Sequence, residues 1–290
     1  VSKSFAGKLF PVACIAAAIF GFASASLCQG GPAVPTVSTG VPNQTMIGQS
    51  GGTMNDQLQY GTMGHQVARE QTDAYQAFLK ERDSAKKIQK GREFLRRYPK
   101  SFFEEQVDAA LMDTYRTQAD WKNEYEYADQ ALALNPNDVD VLATVGWTIP
   151  HVYNPSDPDA GQELDKAEKY SKHAIEVLST LKKPNDMNET EFAAAREKRT
   201  CQAHSALGLV YFRRQDYENS EKELEQSTKG KPETDQTDLY VLGIDLIHLN
   251  RFGEAADAFR GCARIPGALQ DPCSKNAGAA DAQAGNTKTQ

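Results

Sequence analysis

The chain has 290 residues, of which 40% are hydrophobic, 9% aromatic and 24% charged, with a formal net charge of -7. That composition suits a soluble helical array, and the acidic balance argues against nucleic acid, whose phosphates require clustered Lys and Arg. Once the two ends are set aside, about 200 residues remain, enough for one domain rather than two.

Residues 1–25 read as a signal peptide. Lys3 and Lys8 precede an apolar run from Leu9 to Ala25, and Ala23-Ser24-Ala25 supplies the small residues a signal peptidase needs. An uncleaved membrane anchor over residues 9–25 is the competing reading. Leu27 stands where a lipoprotein signal ending at Cys28 would carry Gly, Ala or Ser. Residues 26–65 are rich in Gly, Pro, Ser, Thr and Gln and read as a flexible linker, since they bury too little apolar surface to offset ordering entropy.

From residue 66 to 273 the pattern is helical. A half-formed unit near 83–100 closes with Phe94-Leu95 and Tyr98-Pro99, and Ser101 with Glu104 reads as a capping box. The stretch from Lys80 to Lys100 carries nine Lys or Arg against three Asp or Glu, which leaves -13 on the remainder. Further units lie near 105–136, 139–180, 201–232 and 236–267. The third is stretched by a Pro- and Asp-rich insertion at 150–162, read as a surface loop, that delays its second helix, carrying Ala167 and Ala174. Asn188 and Glu191 form a box that starts a long helix to Arg214. Residues 274–290 read as a disordered tail, with Ala-rich Asn276 to Ala284 able to add a capping turn.

The last two units repeat each other. Gly208 and Gly243 lie 35 residues apart, with His204, Leu207 and Tyr211 around one and Leu239, Leu242 and Leu246 around the other, all on one helical stripe. After a polar turn a second helix follows, with Ser220, Leu224 and Ser227 in one unit and Ala255, Phe259 and Cys262 in the next. Small residues let the paired helices approach, and each hairpin needs a neighbour to cover its remaining face.

These residues resemble the tetratricopeptide repeat (TPR). The markers are Leu111, Tyr115, Ala131 and Pro136 in one unit and Gly146 in the next. Leu207, Gly208, Tyr211 and Pro232 follow, then Leu242, Gly243, Ala255 and Phe259. The resemblance implies an all-α, right-handed helix-turn-helix solenoid whose concave groove is lined by the first helix of each unit. Carried over, the groove is Arg116, then Trp147 and His151, then Gln202, Ser205, Leu209, Phe212 and Arg213, then Tyr240, Ile244, Ile247 and His248. Such a lining suits a peptide or helix with apolar anchors. Members that grip a C-terminal carboxylate use Lys and Asn where this chain has Ser205 and Tyr240, and Trp147, Leu209 and Ile244, so that activity is not implied.

Cys262 and Cys273 are spaced to form a disulfide at the C-terminal cap in an oxidising compartment. No cysteine or histidine spacing points to a metal, and the Asn154–Gly161 segment lacks the carboxylates of a calcium loop. No nucleophile motif or phosphate loop is present, so the chain reads as a non-enzyme without cofactor. The expectation is an exported, periplasmic or extracellular scaffold that binds a protein or peptide in its groove. The alternative is a self-assembling structural subunit, a homo-oligomer or filament joining its basic front to its acidic body.

Overall fold

The computed structural model describes residues 68–184, 187–230 and 234–287, and every regular element among them is an α-helix. The expected leader, the linker and Pro232 lie outside the described residues. The helices are α1 (68–79), α2 (Ser84–Arg97), α3 (Glu104–Thr117), α4 (Trp121–Leu134), α5 (Val139–Val152) and α6 (Ala160–Thr180). They continue with α7 (Glu189–Arg213), α8 (Tyr217–Thr228), α9 (Gln236–His248), α10 (Phe252–Ala263) and α11 (Gln270–Thr287).

These helices form two compact units. One holds Gly146–Ser171 and the chain from Thr200 onward; the other holds the described chain up to Val145 together with Lys172–Arg199. In the second of these, α1 to α4 close over Phe78, Phe94, Val107, Leu111 and Tyr115, all buried. The Tyr115 and Tyr127 rings stack 5.4 Å apart between α3 and α4. In the first, α7 to α11 enclose Leu209, Leu224, Val241, Leu246, Phe259 and Cys262. Removing a side chain such as Leu224 or Phe259 from water contributes about 1.5–3 kcal/mol.

Three hairpins turn by the same device. Ala119, Gln215 and Asn250 adopt left-handed backbone, with φ of 55°, 63° and 60°. Each donates its N–H to the carbonyl three residues back, and the following residue donates to the carbonyl five back: Asp120 to Tyr115, Asp216 to Tyr211 and Arg251 to Leu246. These bonds satisfy carbonyls that the helix end leaves open. Two of the turns then start the next helix alike. Asp120 accepts from the Asn123 backbone N–H at 3.3 Å and side-chain amide at 2.7 Å. Asp216 does the same with Asn219, also at 3.3 and 2.7 Å. Since a left-handed Gln carries a Cβ penalty that glycine avoids, Gln215→Gly is expected to stabilise by about 0.5–1 kcal/mol, read as a higher urea midpoint.

Several sequence expectations change. Helix α5 continues through Pro150 to Val152, so the insertion contracts to the turns between Val152 and Ala160. Ser101 does not complete the capping box. Its Oγ accepts from the Phe103 N–H, and α3 begins without a side-chain cap. At Asn188 the N-cap half of the expected box forms, with Glu191 N–H donating to Asn188 Oδ1 at 2.8 Å. The expected tail from residue 274 is instead the body of α11, whose Cys273, Ala277 and Ala280 are buried at i, i+4 and i+7. Cys273 is bonded to Cys262, with Cα atoms 5.9 Å apart.

Candidate protein-binding surface

The glycines set how closely the hairpins pack. A Cβ on Gly208 would lie 2.5 Å from Leu224 Cγ, and one on Gly243 would lie 2.6–2.8 Å from three atoms of the Phe259 ring. Such close approach buries the first helix of each pair on every side. Residues 205–210 of α7 and 240–246 of α9 are continuously buried.

That burial corrects the expected groove. Ser205, Leu209, Tyr240 and Ile244 are 2–6% exposed and belong to the core. Ser205 donates to Asp238, and Tyr240 packs edge-on against Phe259 at 5.9 Å. A 3.6-residue period marks a stripe, but a helix covered all round has no open stripe to offer. The partly exposed members are Trp147, His151, Gln202, Phe212, Arg213 and Ile247, and His248 is exposed. Arg116, on α3 in the other unit, is held by Asp113 at 2.6 Å.

The accessible residues gather at helix ends. Tyr217, the first residue of α8, stacks on His248 with ring centroids 3.9 Å apart and planes 2° from parallel. Phe212 meets the same tyrosine edge-on at 6.3 Å. The Tyr217 ring shields one face of the otherwise exposed His248 imidazole from water, and this desolvation lowers its pKa and favours the uncharged ring. Phe212 and Ile247 rest one side on the core and leave the other partly open.

Trp147 and His151 form a second ring pair, with centroids 3.7 Å apart. His151 Nδ1 turns back to the Trp147 carbonyl at 2.7 Å, and burial lowers its pKa, with the Arg213 charge acting the same way. Arg213 is committed to structure. Its Nε and Nη2 donate to the Pro150 carbonyl at 3.3 and 3.1 Å, and its guanidinium lies over the Tyr153 ring. It therefore caps the open end of α5. Its neighbour Arg214 pairs with Asp165 and Glu168 of α6.

Tyr217 is absent from the expected groove, although a signal for it exists. Trp121, Tyr217 and Phe252 each open the second helix of a hairpin, two residues after the left-handed turn. Among the described residues no three His, Cys, Asp or Glu side chains gather as metal ligands, and no helix is long and apolar enough to cross a membrane. The most strongly raised acids of this unit, Asp238 and Asp245, are 2% and 0% exposed.

No family model matches the chain, and no curated protein matches it. Its structure is similar to that of TTC0263, a thermophilic TPR protein in Thermus thermophilus, at 14% identity and TM-score 0.44, over 73% of this chain and 95% of that one. It is also similar to the MamA RS-1 ArsTM double mutant, at 17% identity and TM-score 0.44, over 68% and 93%. A third likeness is to Acl4, an assembly chaperone of RpL4, at 10% identity and TM-score 0.43, over 76% and 98%. The recurrent turn, the shared Asp–Asn cap and the glycine contacts within its own hairpins make this chain a helical repeat protein built of helix-turn-helix hairpins. Folds of this class generally present surfaces to protein partners.

Proposed function

We propose that the chain is a non-catalytic scaffold that binds an extended peptide or helix of a partner protein through apolar anchors. The observation that carries this reading is the open aromatic patch of Phe212, Tyr217 and His248 at the ends of α7, α8 and α9. Rigid rings that can be desolvated at small entropic cost are the commonest anchors of protein interfaces. Enclosure of the two raised acids within the core supports a structural rather than catalytic role for them.

An exported location, in a cell envelope or secreted space, is part of the same proposal. The apolar Leu9–Ala25 run and the Cys262–Cys273 bond support it, since structural disulfides persist in oxidising compartments. Mass spectrometry of the mature N-terminus tests the location, and a chain still carrying residues 1–25 would exclude cleavage.

For binding, immobilised protein is compared with a Phe212→Ala/His248→Ala variant. Partner recovery is expected to fall about tenfold or more at a temperature where circular dichroism shows the variant still fully helical, since losing the packing of Phe212 on the core lowers its melt. Equal recovery by both would place the contact elsewhere.

A further inference from the structure

Asp238 and Asp245 stand two turns apart on α9, and the serines around them leave too few protons for both to be carboxylates. Ser220 Oγ lies 2.6 Å from Asp245 Oδ2 and 2.8 Å from the Gly208 carbonyl oxygen. Ser227 Oγ lies 2.9 Å from Asp238 Oδ2 and 3.0 Å from the Leu224 carbonyl. A hydroxyl has one proton to donate. Facing a carboxylate and a carbonyl together, each serine would leave one short contact with no hydrogen in it.

A protonated carboxyl resolves both. Asp245 donates to Ser220, which donates to Gly208; Asp238 donates to Ser227, which donates to Leu224. Ser205 of α7 donates to the other Asp238 oxygen at 2.8 Å. We infer that Asp238 and Asp245 are neutral carboxylic acids that latch α9 to α7 and α8, and that the latch releases when they ionise.

Burial and like charges favour the neutral form, against the serine hydrogen bonds and the helix N-terminus at Asp238. Asp235 at the start of α9 and Glu221 on α8 face the pair with the same sign as an ionised aspartate. Tyr217 faces Asp245 from α8. Three basic side chains on the neighbouring elements are engaged elsewhere: His204 of α7 by Glu223, Arg251 by Glu221 and Glu254, and Arg260 of α10 by Asp257 and Asp281. Burial raises Asp238 to about 7 and Asp245 to about 8.

The sign follows from proton binding. An unfolded aspartate titrates near 3.9, so between about pH 4 and about pH 7 the folded chain holds more protons than the unfolded one. The stability gained is complete below about pH 4 and is lost as pH rises through about 7 to 8. Since α7 ends beside Phe212 and α9 at His248, release also reaches the aromatic patch, and that consequence alone rests on the binding reading.

The test needs no partner. Urea unfolding of the full chain and of Asp245→Asn is followed from pH 5 to 9, because Asn keeps the shape and a donor but cannot ionise. The ratio of their unfolding constants is expected to change about tenfold per pH unit up to about pH 7 and to flatten above pH 8. Comparison with the variant cancels other raised acids, Asp108 and Glu105 among them. A ratio independent of pH overturns the latch. Should the variant fail to fold, carbon NMR of the assigned Asp238 and Asp245 side chains in the unaltered chain decides: both carboxyls titrating above about pH 6.5, beside that of Asp108, are expected, and failure of either to do so overturns it.

Discussion

Placing a single methyl group on Gly243 or Gly208 is expected to destabilise the chain, whereas the same change at Gly278 is expected to stabilise it. In an exposed helix interior, Gly→Ala gains about 1 kcal/mol from backbone entropy. Gly278 lies inside α11 with nothing within 4 Å of the added atom, so that gain stands alone. At Gly243 the new Cβ meets Cε1, Cζ and Cδ1 of Phe259 at 2.6, 2.7 and 2.8 Å. That ring is 2% exposed and braced by Tyr240, so it yields only if α10 moves away from α9. At Gly208 the obstacle is fully buried Leu224, whose Cγ and Cδ2 lie 2.5 and 2.6 Å away and whose backbone N is at 3.3 Å. Overpacking of this kind costs about 1–3 kcal/mol, which exceeds the entropic gain through most of its range. Urea midpoints should therefore fall for Gly208→Ala and Gly243→Ala and rise for Gly278→Ala. Shifts of the same sign at all three positions would show that the hairpins are not held at glycine distance.

The same pair of glycines shows how much was legible in the residues. A small residue followed at fixed offsets by Leu224 or Phe259 specifies a close helix pair, and the structure places those side chains directly over the two glycines. The polar turns at Gln215 and Asn250 were legible, but their left-handed backbone and the turn at Ala119 were not, because these residues do the work that glycine usually marks at a helix end. Four of the expected groove residues, Ser205, Leu209, Tyr240 and Ile244, proved to be core for a different reason. Spacing along a helix says which residues share a face, but whether Leu209 or Ile244 meets solvent depends on how many neighbouring helices cover it. Asp238 and Asp245 were hidden further still. An aspartate on a helix is ordinarily a solvated charge, and only the serines contributed by α7 and α8 make it a buried acid.

Breaking the Cys262–Cys273 bond is expected to cost about 2–3 kcal/mol, and the loss should appear first in α11. The cysteines are 11 residues apart and both fully buried, so Cys→Ala replacement at both positions leaves no charge or unpaired polar group behind. The other holds on helix α11 are polar and lie nearer the surface: Arg260 of α10 pairs with Asp281 at 2.8 Å, and Asn276 hydrogen-bonds Tyr240. The helix contains Pro272, Gly278 and Gly285, and its buried points beyond the cysteine are Ala277 and Ala280, each of which removes little more than a methyl group from water. A second anchor limits the damage. The Gln236 amide of α9 donates to the Ile265 carbonyl at 2.7 Å and to the Cys262 carbonyl at 3.3 Å, and its oxygen accepts from Leu269 N–H at 3.3 Å. That clamp holds the end of α10 and the following loop, but it stops short of α11. Hydrogen exchange of the Cys262→Ala/Cys273→Ala variant, or of the reduced chain, should therefore quicken across 270–287 while amides of α7 to α9 keep most of their protection. Uniform quickening through the unit would mean that α11 unfolds with the hairpins rather than before them. Unchanged exchange across 270–287 would mean that the alanine stripe and the polar contacts of Asn276 and Asp281 secure the last helix without the disulfide.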